Sequence, residues 1–126
     1  MGSVLVDTSV WVKHFRESNQ ELIHLIDCDE VLVHPMIVAE ISCGTPPSRI
    51  NTLSDLSALQ QAQQPNLSEV MDFIERENLY GQGCGIVDMI LLASTLITPG
   101  SALWTLDKRL SSICEKFGVN YSPKLH

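Results

Sequence analysis

The sequence predicts an α/β domain in which helices cover both faces of a mostly parallel sheet. Short β-rich apolar runs alternate with segments of helical periodicity, and that alternation is typical of parallel sheets. One segment, residues 86–97, is apolar on every helical face apart from Asp88, which indicates a helix buried in the domain. The 126 residues are 44% hydrophobic and show no internal repeat or linker, so we expect one domain over residues 1–126.

The first half of the chain is predicted to alternate as follows: a strand over residues 3–6, a helix over 10–15, a helix over 20–26, a strand over 31–34 and a helix over 35–43. Thr8 and Ser9 are suited to capping the first helix. Pro35 fits the first position of the third helix, and Gly44 fits the position after its end.

The second half has seven predicted features: helical periodicity over 49–61, a short strand within 60–64, helices over 67–78 and 86–97, a strand over 102–105, a helix over 108–117 and an edge strand over 119–121. Asn66 and Glu69 have the spacing of a capping box at the start of the helix over 67–78. Pro99 and Gly100 predict a turn, and Gly118 ends the last helix. Region 45–65 has the weakest pattern.

The cysteines and histidines do not predict a zinc site. The four cysteines are widely spaced without a C-x-x-C pair, so we expect reduced, mostly buried thiols in a cytoplasmic protein. The four histidines lack ligand spacing and are interpreted as surface or structural residues. The N-terminal residues lack the pattern of a signal peptide, and the apolar segment 86–97 is too short to span a membrane. Trp11 and Trp104 are expected in the core.

Four acidic residues follow or open predicted elements in a way that could bring them together. Asp7 and Asp107 each come just after a strand, Asp88 opens a helix, and Glu40 lies in a helix that follows a strand. Functional groups gather at the carboxyl ends of parallel strands. Carboxylates that close would not all ionise without a cation, and oxygen-only clusters suit Mg²⁺ or Mn²⁺. The sequence therefore predicts a metal site.

Each acid also has a structural interpretation: Asp7, Asp88 and Asp107 could cap their helices, and Glu40 could pair with a basic side chain. The recurrence of acids at strand–helix junctions favours the metal site. The formal charge of −7 argues against a nucleic-acid partner unless these acids bind cations. The basic residues that could then contact phosphate are Lys13, Arg16, Lys108 and Arg109. Lys108 and Arg109 could equally form a solvated helix face.

Four motifs resemble, in order, those of the PIN-domain ribonucleases, and within them the VapC-type toxins: Val6-Asp7-Thr8-Ser9-Val10-Trp11, Glu40 with Gly44, Gly83-x-Gly-x-x-Asp88-x-x-Leu-Leu-Ala-Ser94, and Leu103-Trp104-Thr105-Leu106-Asp107-Lys108-Arg109-Leu110. The resemblance implies an α/β/α sandwich, Mg²⁺-dependent endoribonuclease activity, a VapB-type antitoxin partner and a homodimer. It assigns the four acidic positions to Asp7, Glu40, Asp88 and Asp107, and the usual hydroxyl residue to Thr105. Region 49–64 and the acidic net charge depart from the family's pattern.

The leading hypothesis is hydrolysis of an RNA phosphodiester by a metal-activated water, with Asp7 and Asp88 as the most direct ligands. Glu40 and Asp107 would complete the site directly or through water. One alternative is a phosphatase or phosphoacceptor with Asp7 as nucleophile, although the second aspartate two residues later is missing. Another alternative is an inactive interaction module whose acids bind a basic partner.

Overall fold

A parallel sheet of four strands runs through the protein, and the computed structural model describes residues 2–124. The strands are β1 (Ser3–Val6), β2 (Val31–Val33), β3 (Gln60–Gln61) and β4 (Ser101–Trp104), in the spatial order β3-β2-β1-β4. All three strand pairs are parallel. The predicted α/β class is confirmed.

The register of the central strand β1 decides where the candidate site lies. Val6, the last residue of β1, is paired with Trp104, the last residue of β4. The next residue, Asp7, donates its backbone N–H to the carbonyl of Trp104 over 2.9 Å. The carboxyl ends of these two strands therefore stand side by side, and the residues that follow them start as neighbours.

Seven helices flank the sheet within residues 2–124: α1 (Thr8–Arg16), α2 (Gln20–Asp27), α3 (Pro35–Ser42), α4 (Arg49–Ser57), α5 (Leu67–Arg76), α6 (Ile86–Ile97) and α7 (Lys108–Lys116). Helix α3 packs against α1 and α4, whereas α6 packs against α5 and β4. Helix α7 also contacts β4. This arrangement is consistent with the α/β/α sandwich that the family resemblance implies.

The core is formed by the central strands and the helices that cover them. Leu5, Leu32 and Leu103 are at most 1% exposed, and both tryptophans are buried as predicted. Helix α6 is buried through its middle, but its terminal residues Ile86 and Ile97 are about half exposed. The expectation of a helix buried on every face therefore holds for the middle of α6 and fails at its ends.

Several helix ends follow the predicted capping chemistry. The capping box at α5 is present, with Asn66 Oδ1 accepting from Glu69 N at 2.8 Å and Glu69 Oε1 accepting from Asn66 N at 2.9 Å. Pro35 opens α3 as predicted. At α1 the prediction is wrong, because Asp7 and not Thr8 or Ser9 occupies the capping position. Both hydroxyls donate to carboxylates of the candidate site instead.

Four predicted elements are shorter than expected. Helix α4 ends at Ser57, and β3 is only two residues long. Helix α5 ends at Arg76, and Asn78 leaves it with a φ of +54° in the left-handed region. The predicted strand over 119–121 is a single parallel bridge between Asn120 and Leu103. Short polar stretches such as Gln60–Gln61 bury too little to extend an edge strand.

The prediction of mostly buried cysteines is wrong. Cys28 and Cys43 are exposed, Cys84 is half-buried, and Cys114 alone among them is buried. Cys28 and Cys43 are the capping residues at which α2 and α3 end, and helix ends lie at the surface of the domain here. Among residues 2–124, no helix is long and apolar enough to cross a membrane.

Candidate active site

Asp7 is held at the junction of β1 and α1, where it is 7% exposed. Its Oδ2 accepts hydrogen bonds from Ser9 Oγ at 2.7 Å and from Thr105 Oγ1 at 2.8 Å. Although Asp7 occupies the capping position of α1, its side chain bonds to no backbone N–H of that helix. The helix-cap interpretation of the Asp7 side chain is therefore wrong, and its orientation is fixed by two hydroxyls.

The same two hydroxyls connect the beginning of the chain to the loop between β4 and α7. Thr105 Oγ1 accepts from the backbone N–H of Asp107 at 3.1 Å, and Ser9 Oγ accepts from that of Leu106 at 3.1 Å. Thr105, which the resemblance assigns to the family's usual hydroxyl position, thus touches Asp7 and Asp107 at once. Ser9 was not among the predicted site residues. Its sequence signal, a serine two residues after a strand-end aspartate, is one that a helix cap also gives.

The side chain of Asp107 caps the start of α7. Its Oδ1 accepts from the backbone N–H groups of Arg109 at 2.9 Å and Leu110 at 3.0 Å, so the capping interpretation is confirmed. Among residues 2–124 its Oδ2 accepts no hydrogen bond. A carboxylate can cap a helix with one oxygen and bind a cation with the other, so the metal-ligand prediction stands beside the cap.

Glu40 reaches the site from α3 and is exposed. Its Oε1 accepts from Thr8 Oγ1 at 2.7 Å. The predicted alternative, an ion pair with a basic side chain, is wrong, because the ion pair found within residues 2–124 joins Arg76 and Glu77. Thr8 was not predicted as a site residue. Its partner is 32 positions away, and no local sequence pattern reports such a contact.

Asp88 lies in the first turn of α6 and reaches back to the residue that opens the helix. Its Oδ2 accepts from Gly85 N at 3.2 Å, so Gly85 and not Asp88 occupies the capping position. Burial raises the pKa of Asp88 above its ordinary value, and the negative charges of Asp7, Asp107 and Glu40 raise it further. The Gly85 hydrogen bond opposes this shift. The other three predicted acids therefore lie close enough to Asp88 to act on its carboxylate.

The donor chemistry of these acids fits a hard divalent cation, although they do not form a closed ligand shell. No group of three or more His, Cys, Asp or Glu side chains in the described part of the chain is arranged to hold a metal ion. The charges that raise the pKa of Asp88 are all carboxylates, and carboxylate oxygens are the ligands that Mg²⁺ and Mn²⁺ prefer. A cation would relieve their mutual repulsion.

Four basic residues are predicted to contact phosphate, and two of them, Arg109 and Arg16, lie near acidic side chains of the candidate site. Arg109 acts on the thiol of Cys84: burial, Asp88 and Asp107 raise the pKa of this thiol, and the charge of Arg109 lowers it. Arg16 lines a groove beside Glu40. Lys108 lines a different surface hollow with Ser111, Ser112 and Glu115. Lys13 is exposed on α1.

Sequence comparisons define the class of protein in agreement with this site. No protein-family model matches the chain. The chain is 39% identical to Ribonuclease VapC32 of Mycobacterium tuberculosis over 116 residues, which cover 92% of this chain and 94% of the relative. The same protein from a second strain matches equally. The chain belongs to the VapC family of PIN-domain ribonucleases.

Proposed function

We propose that this protein is a Mg²⁺-dependent endoribonuclease that acts as the toxin of a toxin–antitoxin pair, in the cytoplasm. The observation that carries the proposal is that the carboxylates of Asp7, Asp107 and Glu40 all act on Asp88, in a member of a ribonuclease family. Mn²⁺ is the expected substitute, because it accepts the same oxygen ligands. The substrate is RNA, and the reaction is hydrolysis of its phosphodiester backbone.

In this proposal Asp7 and Asp88 hold the cation directly, and Glu40 and Asp107 do so directly or through water. A bound divalent cation supplies a Lewis acid that lowers the pKa of the attacking water and stabilises charge on the phosphoryl oxygens. No side-chain nucleophile is needed. The site acids carry more than half of the formal charge of −7, so a site filled with cations presents RNA with a far less negative surface.

The protein's own contribution is to hold the carboxylates before substrate arrives. Thr105 and Ser9 fix one oxygen of Asp7, which leaves Oδ1 for a ligand. Thr8 fixes one oxygen of Glu40 in the same way. Such hydrogen bonds set the direction of metal ligands and commonly change metal affinity by about 10- to 100-fold when they are removed.

The partner in this proposal is an antitoxin of the VapB type, which inserts an Arg or Lys among the four acids. Guanidinium pairs bidentately with carboxylate and stays charged. A groove of about 380 Å³ beside Glu40 includes the apolar side chains Val12, Phe15 and Ile41. Apolar anchors in this groove would supply most of the affinity, because exposed ion pairs alone contribute little.

Because the inserted cation and the metal compete for the same carboxylates, Mg²⁺ should weaken the complex. The test is titration of the purified complex with Mg²⁺, repeated with an antitoxin whose inserted basic residue is changed to Ala. Inhibition that survives the substitution, together with affinity unaffected by Mg²⁺, would show that the antitoxin binds elsewhere.

We further propose a homodimer. Leu67 and Met71 on α5 and Ile97 on α6 are about half exposed, and apolar side chains of this size are typical of interface positions. Sedimentation equilibrium at micromolar concentration tests this point, and a monomer at all concentrations would contradict it.

The proposed activity is tested by expressing the chain alone in bacteria and comparing it with Asp7→Asn. We expect the wild-type chain to arrest growth and Asp7→Asn to abolish the arrest, because Asn preserves size but not charge. Asp29→Asn is the matched control, since Asp29 is exposed and its φ of +56° suits Asn. Sequencing of RNA ends after brief induction would identify the RNA and the cleavage site.

Equal melting temperatures of purified wild-type protein and Asp7→Asn are required for this comparison. Continued toxicity of a folded Asp7→Asn protein would overturn the proposed function. Cleavage of purified RNA that persists in EDTA would overturn the metal dependence alone.

A further inference from the structure

The side chain of Arg109 lies directly over the backbone of Gly83, in the loop before α6. A Cβ atom added to Gly83 would lie 2.7 Å from Arg109 Nη1, 2.8 Å from Cδ and 3.1 Å from Cζ. Separations below 3.0 Å are not tolerated between such atoms, so a side chain at residue 83 would displace Arg109. Gly83 also has a φ of +84°, which favours glycine.

This contact brings the Arg109 guanidinium to the edge of the acidic site. Cys84 follows Gly83, and its thiol senses the charges of Asp88, Asp107 and Arg109 together. The loop that Arg109 covers ends at Gly85, whose N–H binds the carboxylate of Asp88. Arg109 is therefore linked to two of the proposed metal ligands: its own backbone N–H binds the carboxylate of Asp107, and the loop under its side chain leads to Asp88.

The guanidinium has unused hydrogen-bonding capacity. Within the described residues Arg109 makes no side-chain hydrogen bond or ion pair. Arg49, by contrast, donates to the carbonyls of Ser42 and Gly44, and Arg76 pairs with Glu77. A guanidinium presents five donors in a planar fork that matches two phosphate oxygens. The missing Cβ of Gly83 leaves room for the Arg109 side chain at this position.

Lys108 differs from Arg109 although the two residues are adjacent in α7. It lines a hollow with Thr105, Leu106, Ser111, Ser112 and Glu115. The three atoms nearest to a Cβ on Gly83, by contrast, all belong to Arg109. Adjacent residues of a helix do not face the same direction. Lys108 is therefore the matched control for the contact with Gly83: it has the same charge and is also exposed, but none of its atoms is among those nearest to that glycine.

We infer that Arg109 binds a backbone phosphate of the RNA substrate next to the four acids, and that Gly83 is the positioning residue that seats its side chain there. This inference rests on the proposed ribonuclease function. The inference assigns different roles to Arg109 and Lys108, which are interpreted alike from the sequence. It also gives Gly83, the residue before Cys84, a role in addition to its turn conformation.

The first test measures binding and cleavage of a fluorescein-labelled RNA oligonucleotide carrying the cleavage site mapped by sequencing. Binding is measured in an Asp7→Asn background, and cleavage in the otherwise wild-type enzyme. We expect Arg109→Ala to raise Kd and KM by about 10- to 100-fold, because a charge-assisted contact is lost. Lys108→Ala should change both by less than about threefold. Arg109→Lys, which keeps charge without the fork, should fall between them.

Salt dependence separates a phosphate contact from a merely structural role. If Arg109 neutralises one phosphate of single-stranded RNA, Arg109→Ala should lower the slope of log Kd against log salt by about 0.7. A structural role would alter the melting temperature and leave this slope unchanged.

The second test is a double-mutant cycle between Gly83 and Arg109. Gly83→Ala should weaken RNA binding by displacing Arg109, by no more than Arg109→Ala does, and it should have no further effect in the Arg109→Ala background. Gly81→Ala is the matched control: Gly81 has a φ of +71°, but a Cβ atom there meets nothing within 4 Å. Both alanines strain the backbone, so both should lower the melting temperature, whereas only Gly83→Ala should weaken RNA binding.

Equal Kd values for Arg109→Ala and Lys108→Ala would overturn the inference while leaving the ribonuclease proposal intact, and so would additive effects of Gly83→Ala and Arg109→Ala. Absence of Asp7-dependent RNA cleavage by the wild-type chain would overturn the proposed function, and the inference with it.

Discussion

The two ends of β1 and β4 each meet an acidic side chain that is hidden from solvent. At the carboxyl ends Asp7 is 7% exposed, and at the amino ends Glu21, 5% exposed, lines a cavity of about 590 Å³ together with Ser3 and Ala102. By burial alone the two carboxylates are equivalent. They differ in what surrounds them.

Glu21 is surrounded by groups that satisfy it. Its Oε2 accepts from the hydroxyl of Tyr121 and from the backbone N–H of Lys124 at 3.2 Å. At the other end burial raises the pKa of Asp88, and the charges of Asp7, Asp107 and Glu40 raise it further. Burial of an acid therefore does not mark a functional site. A cluster of like charges does mark a functional site, because the negative charge of such a cluster is not compensated within the folded protein alone.

The largest effect is expected from Asp88→Asn, which removes one negative charge from the group of carboxylates around the candidate site. Cleavage of RNA should fall by at least about 100-fold, since even indirect supporters of a metal ligand commonly contribute 10- to 100-fold. Asn keeps an acceptor for the Gly85 N–H, so stability in EDTA should be unchanged or higher. Calorimetry with and without Mg²⁺ checks both points, because a ligand that binds the folded state raises its melting temperature. An undiminished Mg²⁺ shift in this variant would exclude Asp88 as a ligand.

The next largest effect is expected from Thr105→Val, which removes the hydroxyl shared by Asp7 and Asp107 without changing side-chain shape. We expect activity and Mg²⁺ affinity to fall by about 10- to 100-fold. Thr95→Val is the control, because the Thr95 hydroxyl is also buried but donates to Leu91 O within α6. If the two variants have equal activity, the hydroxyl does not orient the site.

At the amino ends of β1 and β4, where hydrogen bonds satisfy the carboxylate of Glu21, Glu21→Gln should change stability and not activity. Replacing a buried carboxylate by an amide disturbs acceptance from Tyr121 and Lys124 and should cost about 1–3 kcal/mol. The melting temperature should then fall by about 4–12 °C for a domain of this size. Unchanged cleavage at a temperature where the variant is folded completes the test. A selective loss of activity would show that the two ends are coupled.

The smallest effect is expected in the alkaline range, through Tyr121. Burial raises the pKa of its hydroxyl above its ordinary value, and the hydrogen bond to Glu21 and the charges of Glu21 and Glu30 raise it further. The folded state therefore holds this proton more tightly than the unfolded state. The resulting stability is complete below the unfolded pKa of about 10 and is lost as pH rises beyond it.

Urea unfolding between about pH 8 and 11 should show a decline of up to about 1.4 kcal/mol per pH unit from this group. The difference between the wild-type protein and Tyr121→Phe isolates this contribution from the lysines. Parallel pH dependences of the two proteins would contradict the assignment.

Much of the architecture could be predicted because it is encoded locally. The capping box of Asn66 and Glu69 and the helix start at Pro35 each depend on a few adjacent residues. The strand-end positions of Asp7 and Asp107 followed from the same patterns. Once the sheet is parallel, these positions become neighbours without any knowledge of side-chain contacts.

The contacts that orient the acids could not be predicted, because they join distant parts of the chain. Thr8 and Glu40 are 32 residues apart, and Leu106 donates to Ser9 across 97 residues. The local sequence predicts that Thr8 and Ser9 cap a helix, but in the tertiary structure their hydroxyls donate to carboxylates instead. The contact of Arg109 with Gly83 is of the same kind, since it depends on the start of α7 meeting the loop before α6.

The pairing of β1 with β4 also has a consequence for synthesis of the protein. The first strand begins at Ser3, but its partner ends at Trp104, and the hydrogen bond from Thr105 to Asp7 spans 98 residues. A chain emerging from the ribosome grows from its amino end at about 5–20 residues per second. Thr105 is therefore synthesised several seconds after Asp7, and contacts so distant in sequence form late in folding. A nascent chain of this protein therefore lacks the hydroxyl of Thr105, which donates to Asp7 Oδ2 from the end of β4, until most of residues 2–124 have been made.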